Sequence, residues 1–364
     1  MIKFLHAADL HLDSPFAALR PEQAIQRRQE QRALVGKICA LCRDHGCDLL
    51  LLPGDLFDGG SVYLDTLDVL RDELCECGAQ VFIAPGNHDF IAPASPYLTQ
   101  AWPENVHIFT RERIEPIVLR ELGCAVWGAA FTAPAMPPLL RDFRVPEGFQ
   151  DYVNLMVLHG DALQADSPYN PIARAEIEES GLAYLALGHS HSRSELLQAG
   201  QTCYAWPGCP MGRGFDEAGE KGVYLGTLGD GTVTLNFLPL DVRRYERLDV
   251  EAGGDPLEAI CSALPEHTEN DIYRITLTGE SEGVDLAALQ RELDARFYAL
   301  ELRDATVPPL DLWTRCGETT LEGMSLHTLR QALERCETDA QRRRVELAAR
   351  RIVEVCEGRE APAL

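Results

Sequence analysis

Five short apolar runs end in the same way. Ile2 to Leu5 leads into HAADLHLD, Leu49 to Leu52 into PGDLFD, Val81 to Ala84 into PGNHD, Val153 to Leu158 into HGD, and Leu182 to Leu187 into GHSH. Short apolar runs bounded by Pro or Gly read as strands buried on both faces, as in the middle of a parallel sheet. Each polar loop then sits at a strand's carboxyl end, where open α/β sheets bind their ligands. If the strands share a sheet, the loops converge.

Between these runs, Arg27 to Asp44 and Leu64 to Cys75 carry apolar residues at helical spacing, which predicts right-handed βαβ crossovers. The middle changes character. Val106 to Phe109, Ile114 to Leu119 and Cys124 to Phe131 read as shorter strands without intervening helices, and GVYLGTLGDGTVTLNFLPL reads as a hairpin turning at Asp230-Gly231. A mixed sheet, or two packed sheets, follows. Arg244 to Val250, a helix from Pro256 to Leu264, Asp271 to Leu277, a helix from Leu286 to Phe297 and Leu300 to Val307 form a small βαβαβ unit closed by Pro308-Pro309. From Leu321 to Glu357 the chain is charged and helical, with Arg342, Arg343, Arg344, Arg350 and Arg351 near its end. The pattern divides the chain at 1–243, 244–310 and 311–364.

Composition narrows the class. With 364 residues, 46% apolar and 25% charged, the chain reads as a soluble globular protein of more than one domain. No apolar stretch approaches the ~18 residues of a membrane span, and MIKFLHAADLHLD is too short in its apolar part for a secretory signal, so a cytoplasmic protein without membrane contact is expected. Twelve cysteines without a repeating spacing suggest neither disulfides nor a zinc ribbon. Cys39 and Cys42 fall in a helical apolar pattern with Leu34, Val35, Ile38 and Leu41, which suits core packing. The net charge of −24 argues against tight binding of a phosphate backbone by the chain alone, although bound divalent metals would reverse the local sign.

The loop residues suggest what those metals would meet. Asp9 and His11 stand two apart in a segment read as extended, as do His189 and His191, so each pair would share a face. Asp55, Asn87 and His159 each stand at the mouth of a different strand. Carboxylate, imidazole and amide oxygen suit Mn²⁺, Fe²⁺ or Zn²⁺, and the lack of thiolates disfavours a structural zinc site. Six or seven such ligands exceed one ion; two ions about 3.5–4 Å apart, bridged by a carboxylate, would use them all. Arg213, in the Gly-rich GCPMGRGF, is a candidate phosphate contact, whereas His6, His45, Asp58 and His107 read as packed residues.

The ordered set DLH, GDLFD, GNHD, HG and GHSH, spread over residues 9 to 191, resembles the calcineurin-like metallophosphoesterases. The resemblance implies an α/β, four-layer fold of two mixed β-sheets flanked by helices, here with a small α+β capping domain and a helical C-terminal segment. It assigns Asp9, His11 and His191 to one divalent ion and Asn87, His159 and His189 to the other, with Asp55 bridging. His88 would be the acid or charge stabiliser beside the scissile phosphate, and Asp89 would orient its imidazole. HAADLHLDSPF and PGCPMGRGFDEAGEKGVYL are similar to stretches of DNA-repair exonucleases of the SbcD and YhaO type. That likeness implies two metal ions, Mn²⁺ foremost with Fe²⁺, Zn²⁺ or Mg²⁺ as alternatives. It further implies a DNA substrate and an SMC-like ATPase partner with coiled-coil arms, docked on the helical tail; a homodimer is compatible. The alternatives are a phosphodiesterase or phosphatase for a small nucleotide or phosphoprotein, and a structural subunit of such an ATPase complex.

Overall fold

The computed structural model describes residues 1–309 and 312–358. The boundary expected at 310 and 311, and residues 359–364 of the expected tail, lie outside the described residues.

The N-terminal half alternates as its pattern requires: β1 (Ile2–His6), α1 (Pro21–His45), β2 (Leu49–Leu52), α2 (Leu64–Glu76) and β3 (Gln80–Ile83), then a one-turn α3 (Pro96–Thr99) and β4 (Val106–Ile108). Helix α1 begins six residues before the expected start. Pro21 occupies its first turn, and the Gln23 side chain reaches back to the Arg20 backbone N–H, the kind of start that apolar spacing does not register. A second series follows: β5 (Glu115–Leu119), β6 (Cys124–Gly128), β7 (Val153–His159), α4 (Arg174–Glu179), β8 (Tyr184–Gly188), β9 (Leu197–Ala199) and β10 (Thr202–Ala205). The hairpin β11 (Gly222–Gly229) and β12 (Thr232–Pro239) turns at Asp230 and Gly231, both with positive φ (51° and 73°), as a two-residue turn of this hand demands.

These strands build two six-stranded mixed sheets, ordered β12-β11-β1-β2-β3-β4 and β5-β6-β7-β8-β10-β9. In the first, β1 to β4 run parallel and β11 is antiparallel to β1; in the second, β6, β7, β8 and β10 run parallel, with β5 and β9 antiparallel at the edges. Side-chain alternation explains the layers. The all-leucine β2 splits by parity. Leu50 and Leu52 face Leu34, Val35, Ile38, Leu67, Leu70 and Leu74 of α1 and α2, while Leu49 and Leu51 join Phe4, Phe82, Val126, Leu155, Val157 and Tyr184 between the sheets. The outer face of the second sheet is covered by a cluster that includes Leu140, Ile172, Ile177 and Leu182. The result is the four-layer arrangement of two mixed sheets flanked by helices. Cys39 and Cys42 are buried in α1, and no disulfide joins the described cysteines.

Beyond β12 come β13 (Tyr245–Glu251), α5 (Pro256–Ala263), β14 (Ile272–Thr278), α6 (Leu286–Leu293) and β15 (Ala299–Asp304), whose strands form a three-stranded sheet in the order β13-β14-β15. The charged tail is two helices, α7 (Leu321–Glu334) and α8 (Asp339–Cys356), because Thr338 caps the second through the Gln341 backbone N–H. Spatially the chain forms two compact units that the linear order does not reveal. One comprises Met1–Leu248, Glu266–Arg274 and Leu293–Glu301; the other comprises Asp249–Pro265, Ile275–Glu292 and Leu302–Leu364. The stretch 244–310 is thus shared between them. Among the described residues no helix is long and apolar enough to cross a membrane.

Candidate metal centre

Strands β1, β2 and β3 of one sheet and β7 and β8 of the other deliver their carboxyl ends to one place. Asp9, Asp55 and Asn87 follow the first three by a few residues, His159 is the last residue of β7, and His189 directly follows β8.

The loops reach the site by kinks. Asp9, His11, Asp55 and His189 have φ of 55°, 45°, 51° and 87°, the left-handed region that costs non-glycine residues energy and concentrates at functional sites. The pairs Asp9/His11 and His189/His191 therefore converge through left-handed turns, not through the alternation of an extended segment that their spacing suggested. Hydrogen bonds between loops hold these kinks: Asp9 N to Gly54 O at 3.2 Å, His11 N to Asp55 O at 2.9 Å and Leu12 N to Leu56 O at 2.7 Å. Two fully buried polar residues one turn apart on α1 add support. Gln31 donates to the His11 carbonyl at 2.8 Å, and Arg27 donates to the Gly212 carbonyl at 2.8 Å.

Asp9, His11 and His191 present ligand atoms mutually within 4.8 Å, as do Asp9, Asp55 and His159. Asp55 Oδ2 lies 3.7 Å from His11 Nε2 and 3.5 Å from His159 Nε2, between the two halves. Asn87 Oδ1 lies 2.9 Å from His159 Nε2 and 3.3 Å from His189 Nδ1. All seven expected ligands are thus brought together. Glycine makes the closeness possible: a Cβ at Gly86 would stand 2.3 Å from Asp55 Oδ1 and 2.8 Å from His159 Nδ1, and one at Gly188 would stand 2.0 Å from Pro53 O.

The donor set fits divalent cations by its electronic balance. His11 Nδ1 donates to Asp58 Oδ1 (3.1 Å), His191 Nδ1 to Glu217 Oε1 (2.8 Å) and His159 Nδ1 to Pro53 O (3.0 Å). In the neutral imidazole each Nε2 is then a lone pair. Yet His11 Nε2 faces His191 Nε2 at 3.2 Å, and His159 Nε2 faces Asn87 Oδ1. Acceptor meets acceptor. Asp9 Oδ2 is buried with no hydrogen-bond partner at all. Burial, then the neighbouring Asp55, pushes the Asp9 carboxyl well above its usual range. Burial also raises Asp55, but His159, His11 and His88 outweigh it and hold this carboxyl low. Burial lowers His11 and His189 to about 4, the neutral form a metal ligand needs. What these facing acceptors lack is a donor or cation between them.

His88 is exposed, its ring centroid 4.8 Å from that of His11, and its backbone N–H donates to Asp55 Oδ1 at 2.9 Å. The expected Asp89–His88 pairing is absent. Asp89 is buried and accepts from the backbone N–H groups of Gly86 (2.7 Å) and Leu56 (2.7 Å) and from Tyr97 Oη (2.6 Å), so it ties two ligand loops together, while His88 Nδ1 faces the Asp58 carbonyl at 3.4 Å. Asp58 is not a packed residue either: its carboxylate joins His11 to Arg213. Arg213 in turn directs Nη1 to Asp58 (2.8 Å) and Nε and Nη2 to Glu217 (3.2 and 2.6 Å), so its guanidinium neutralises carboxylates where a phosphate contact was expected. Glu217 and Tyr97 escaped the sequence reading. Glu217 lies inside GRGFDEAGEKG, but no local pattern marks a carboxylate whose partner is 26 residues upstream. His6 is packed as expected, bonded to Tyr184 Oη and Leu187 O, both at 3.0 Å.

Residues 2–193 match the calcineurin-like phosphoesterase family, and the chain belongs to it. It is a metallophosphoesterase by family, in which a dinuclear metal site serves phosphoester hydrolysis. The chain is 33% identical over 270 residues to the uncharacterized metallophosphoesterase YhaO of Bacillus subtilis, covering 71% of this chain and 64% of that one. It is 23% identical over 263 residues to the SbcD component of the Bacillus subtilis nuclease SbcCD, covering 60% and 64%. It is likewise 23% identical over 342 residues to the DNA double-strand break repair protein Mre11 of Saccharolobus solfataricus, covering 85% and 84%. The chain therefore spans just under two thirds of the length of the two Bacillus relatives.

Proposed function

We propose that the protein is a metal-dependent phosphodiesterase that cleaves DNA, as an exonuclease or endonuclease in DNA repair. Asp9, His11 and His191 would hold one divalent ion, Asn87, His159 and His189 a second, with Asp55 shared. The observation that carries the reading is the convergence of acceptor atoms that face one another, one of them, Asp9 Oδ2, buried without a hydrogen-bond partner. The DNA substrate rests on two relatives, one a nuclease component and one a double-strand break repair protein. Mn²⁺ is the first choice of metal for this donor set, followed by Fe²⁺, Zn²⁺ and Mg²⁺.

When bound, the ions lower the pKa of water and offset the charge of the phosphate. The chain does the rest. The loop kinks hold the ligands before any ion arrives, and Asp89 with Tyr97 keeps the Asp55 and Asn87 loops in register. His88 is the exposed imidazole that gives a proton to the leaving oxygen or stabilises its charge, a contribution of roughly 10²–10⁴-fold.

Helices α7 and α8 enclose their own small core of Leu326, Ala349 and Val353 and leave Leu321, Met324 and Val355 exposed. These exposed apolar residues are our proposed dock for an SMC-like ATPase. Such a partner would supply the duplex-binding surface that a chain of net charge −24 lacks.

The test is digestion of end-labelled single- and double-stranded DNA with Mn²⁺, Mg²⁺ or EDTA, beside Asp55→Asn and His88→Ala. Metal-dependent cleavage lost in both variants is expected. Hydrolysis of bis(p-nitrophenyl) phosphate with intact DNA, even beside the ATPase, would replace the DNA reading with one of a small diester, which the acidic charge favours.

A further inference from the structure

Arg213 Nη2 lies 3.3 Å from His191 Nδ1. A guanidinium offers only donors, so left to itself it would donate to Nδ1 and drive the ring proton to Nε2. That nitrogen faces His11 Nε2 at 3.2 Å. Carrying a proton, it would have no lone pair for an ion.

Glu217 removes the conflict. It is 5% exposed, and its Oε1 lies 2.8 Å from His191 Nδ1 and 2.6 Å from Arg213 Nη2. Its Oε2 accepts from the Arg213 backbone N–H at 2.8 Å and stands 3.3 Å from Nε. The guanidinium is thereby drawn onto the carboxylate, and Nδ1 gains an acceptor in place of a donor. At the far end, Asp58 Oδ1 takes Arg213 Nη1 at 2.8 Å and His11 Nδ1 at 3.1 Å. His11, Asp58, Arg213, Glu217 and His191 form a closed circuit in which a carboxylate oxygen faces each Nδ1, an arrangement that favours Nδ1–H and a bare Nε2 in both rings.

We propose that Glu217 is a positioning residue that acts against Arg213: it fixes the Nδ1–H tautomer of His191 and so keeps Nε2 available to an ion at the Asp9–His11–His191 end of the site. The inference rests on the proposed role of His191 as a ligand. It differs from a packing role in one consequence. If Glu217 merely supported the loop or balanced the charge of Arg213, its loss would leave the His191 ring proton on Nδ1. If Glu217 acts against Arg213, removing Arg213 restores what the loss of Glu217 took away.

The experiment is calorimetric titration of the full chain with Mn²⁺, for the parent, His191→Ala, Glu217→Ala, Arg213→Met and the Glu217→Ala/Arg213→Met pair, with melting curves of each metal-free chain. The parent should bind two ions and His191→Ala should lose one. Glu217→Ala should weaken one ion by about 10–100-fold and leave the other, held by Asn87, His159 and His189, unchanged. The double variant should recover much of that loss. Two-bond ¹H–¹⁵N spectra of the metal-free chains should show His191 with its proton on Nδ1 in the parent and on Nε2 in Glu217→Ala, while the double variant, with neither the carboxylate nor the guanidinium at Nδ1, should show a mixture of the two. A double variant that binds no better than Glu217→Ala, or a tautomer that does not move, overturns the inference while leaving His191 as a ligand. Two ions bound by His191→Ala as tightly as by the parent overturns the ligand reading and the inference with it. If Glu217→Ala does not fold, Glu217→Gln keeps the volume and one acceptor oxygen. It should show a smaller loss, again relieved by Arg213→Met, and the absence of relief overturns the inference equally.

Discussion

Replacing Asp9 by asparagine should stabilise the metal-free protein and destabilise the metal-loaded one. Asp9 is 1% exposed; its Oδ1 accepts from His189 N at 2.9 Å, while its Oδ2 has no partner and Asp55 adds a like charge nearby. An amide keeps the first contact and puts a donor where the orphaned oxygen stood. Asparagine also tolerates a φ of 55° better than most residues. An unsatisfied buried polar atom costs about 1–3 kcal/mol, so the variant should gain about that much in EDTA. For a domain of this size each kcal/mol moves the melting temperature by about 2–4 °C, giving a rise of about 2–12 °C. With Mn²⁺ the order inverts. An ion at 1,000 times its dissociation constant adds about 4.1 kcal/mol to the parent, and a chain without the Asp9 carboxylate forgoes most of it. Paired thermal melts in EDTA and in Mn²⁺ are the assay. A variant less stable than the parent in EDTA would refute the account of the site as a cluster of acceptors awaiting positive charge.

The remaining predictions concern the surroundings. Burial lowers His6 to about 3, so the folded protein excludes a proton that the unfolded chain accepts below about 6.5. Its contribution is complete above pH 6.5 and is lost as pH falls toward 3, by about 1.4 kcal/mol per unit. Urea midpoints of the parent and His6→Asn between pH 5 and 7.5 should diverge accordingly, and parallel curves would refute the neutral, buried imidazole. Asp89→Ala would orphan the Gly86 and Leu56 N–H groups and Tyr97 Oη, so a loss of about 3–5 kcal/mol in urea unfolding is expected; full stability with reduced turnover alone would return Asp89 to the role of a partner for His88.

The residues that converge were legible because parallel strands concentrate their ligand loops at one edge, so five strand-like runs ending in His, Asp or Asn already implied one location. The manner of convergence was not. Nothing in DLH or GHSH announces that Asp9, His11 and His189 turn left-handed, since that conformation is imposed by hydrogen bonds to the Gly54 and Asp55 carbonyls and to Asp9 from other loops. Asp58 was misjudged for a related reason: its partner Arg213 is 155 residues away. Asp89 shows the limit of transferring a pair by adjacency, because a side chain next to His88 in sequence faces Leu56 and Tyr97 in space. The division of the chain into two interleaved units depends on contacts that a linear reading cannot rank.

The ligands are divided between two sheets. Asp9, Asp55 and Asn87 ride on one, His159 and His189 on the other, and between the sheets lies a layer that includes Phe4, Phe82, Leu155 and Tyr184. Phe4 and Tyr184 meet across it with ring centroids 4.7 Å apart. These side chains act as a gauge block: their thickness sets the gap across which the two groups of ligands face each other. A core substitution that touches no ligand, such as Phe82→Leu, therefore alters the width of the site as directly as any change within it, and the tolerance of the chemistry is written into the volume of residues that never meet the substrate.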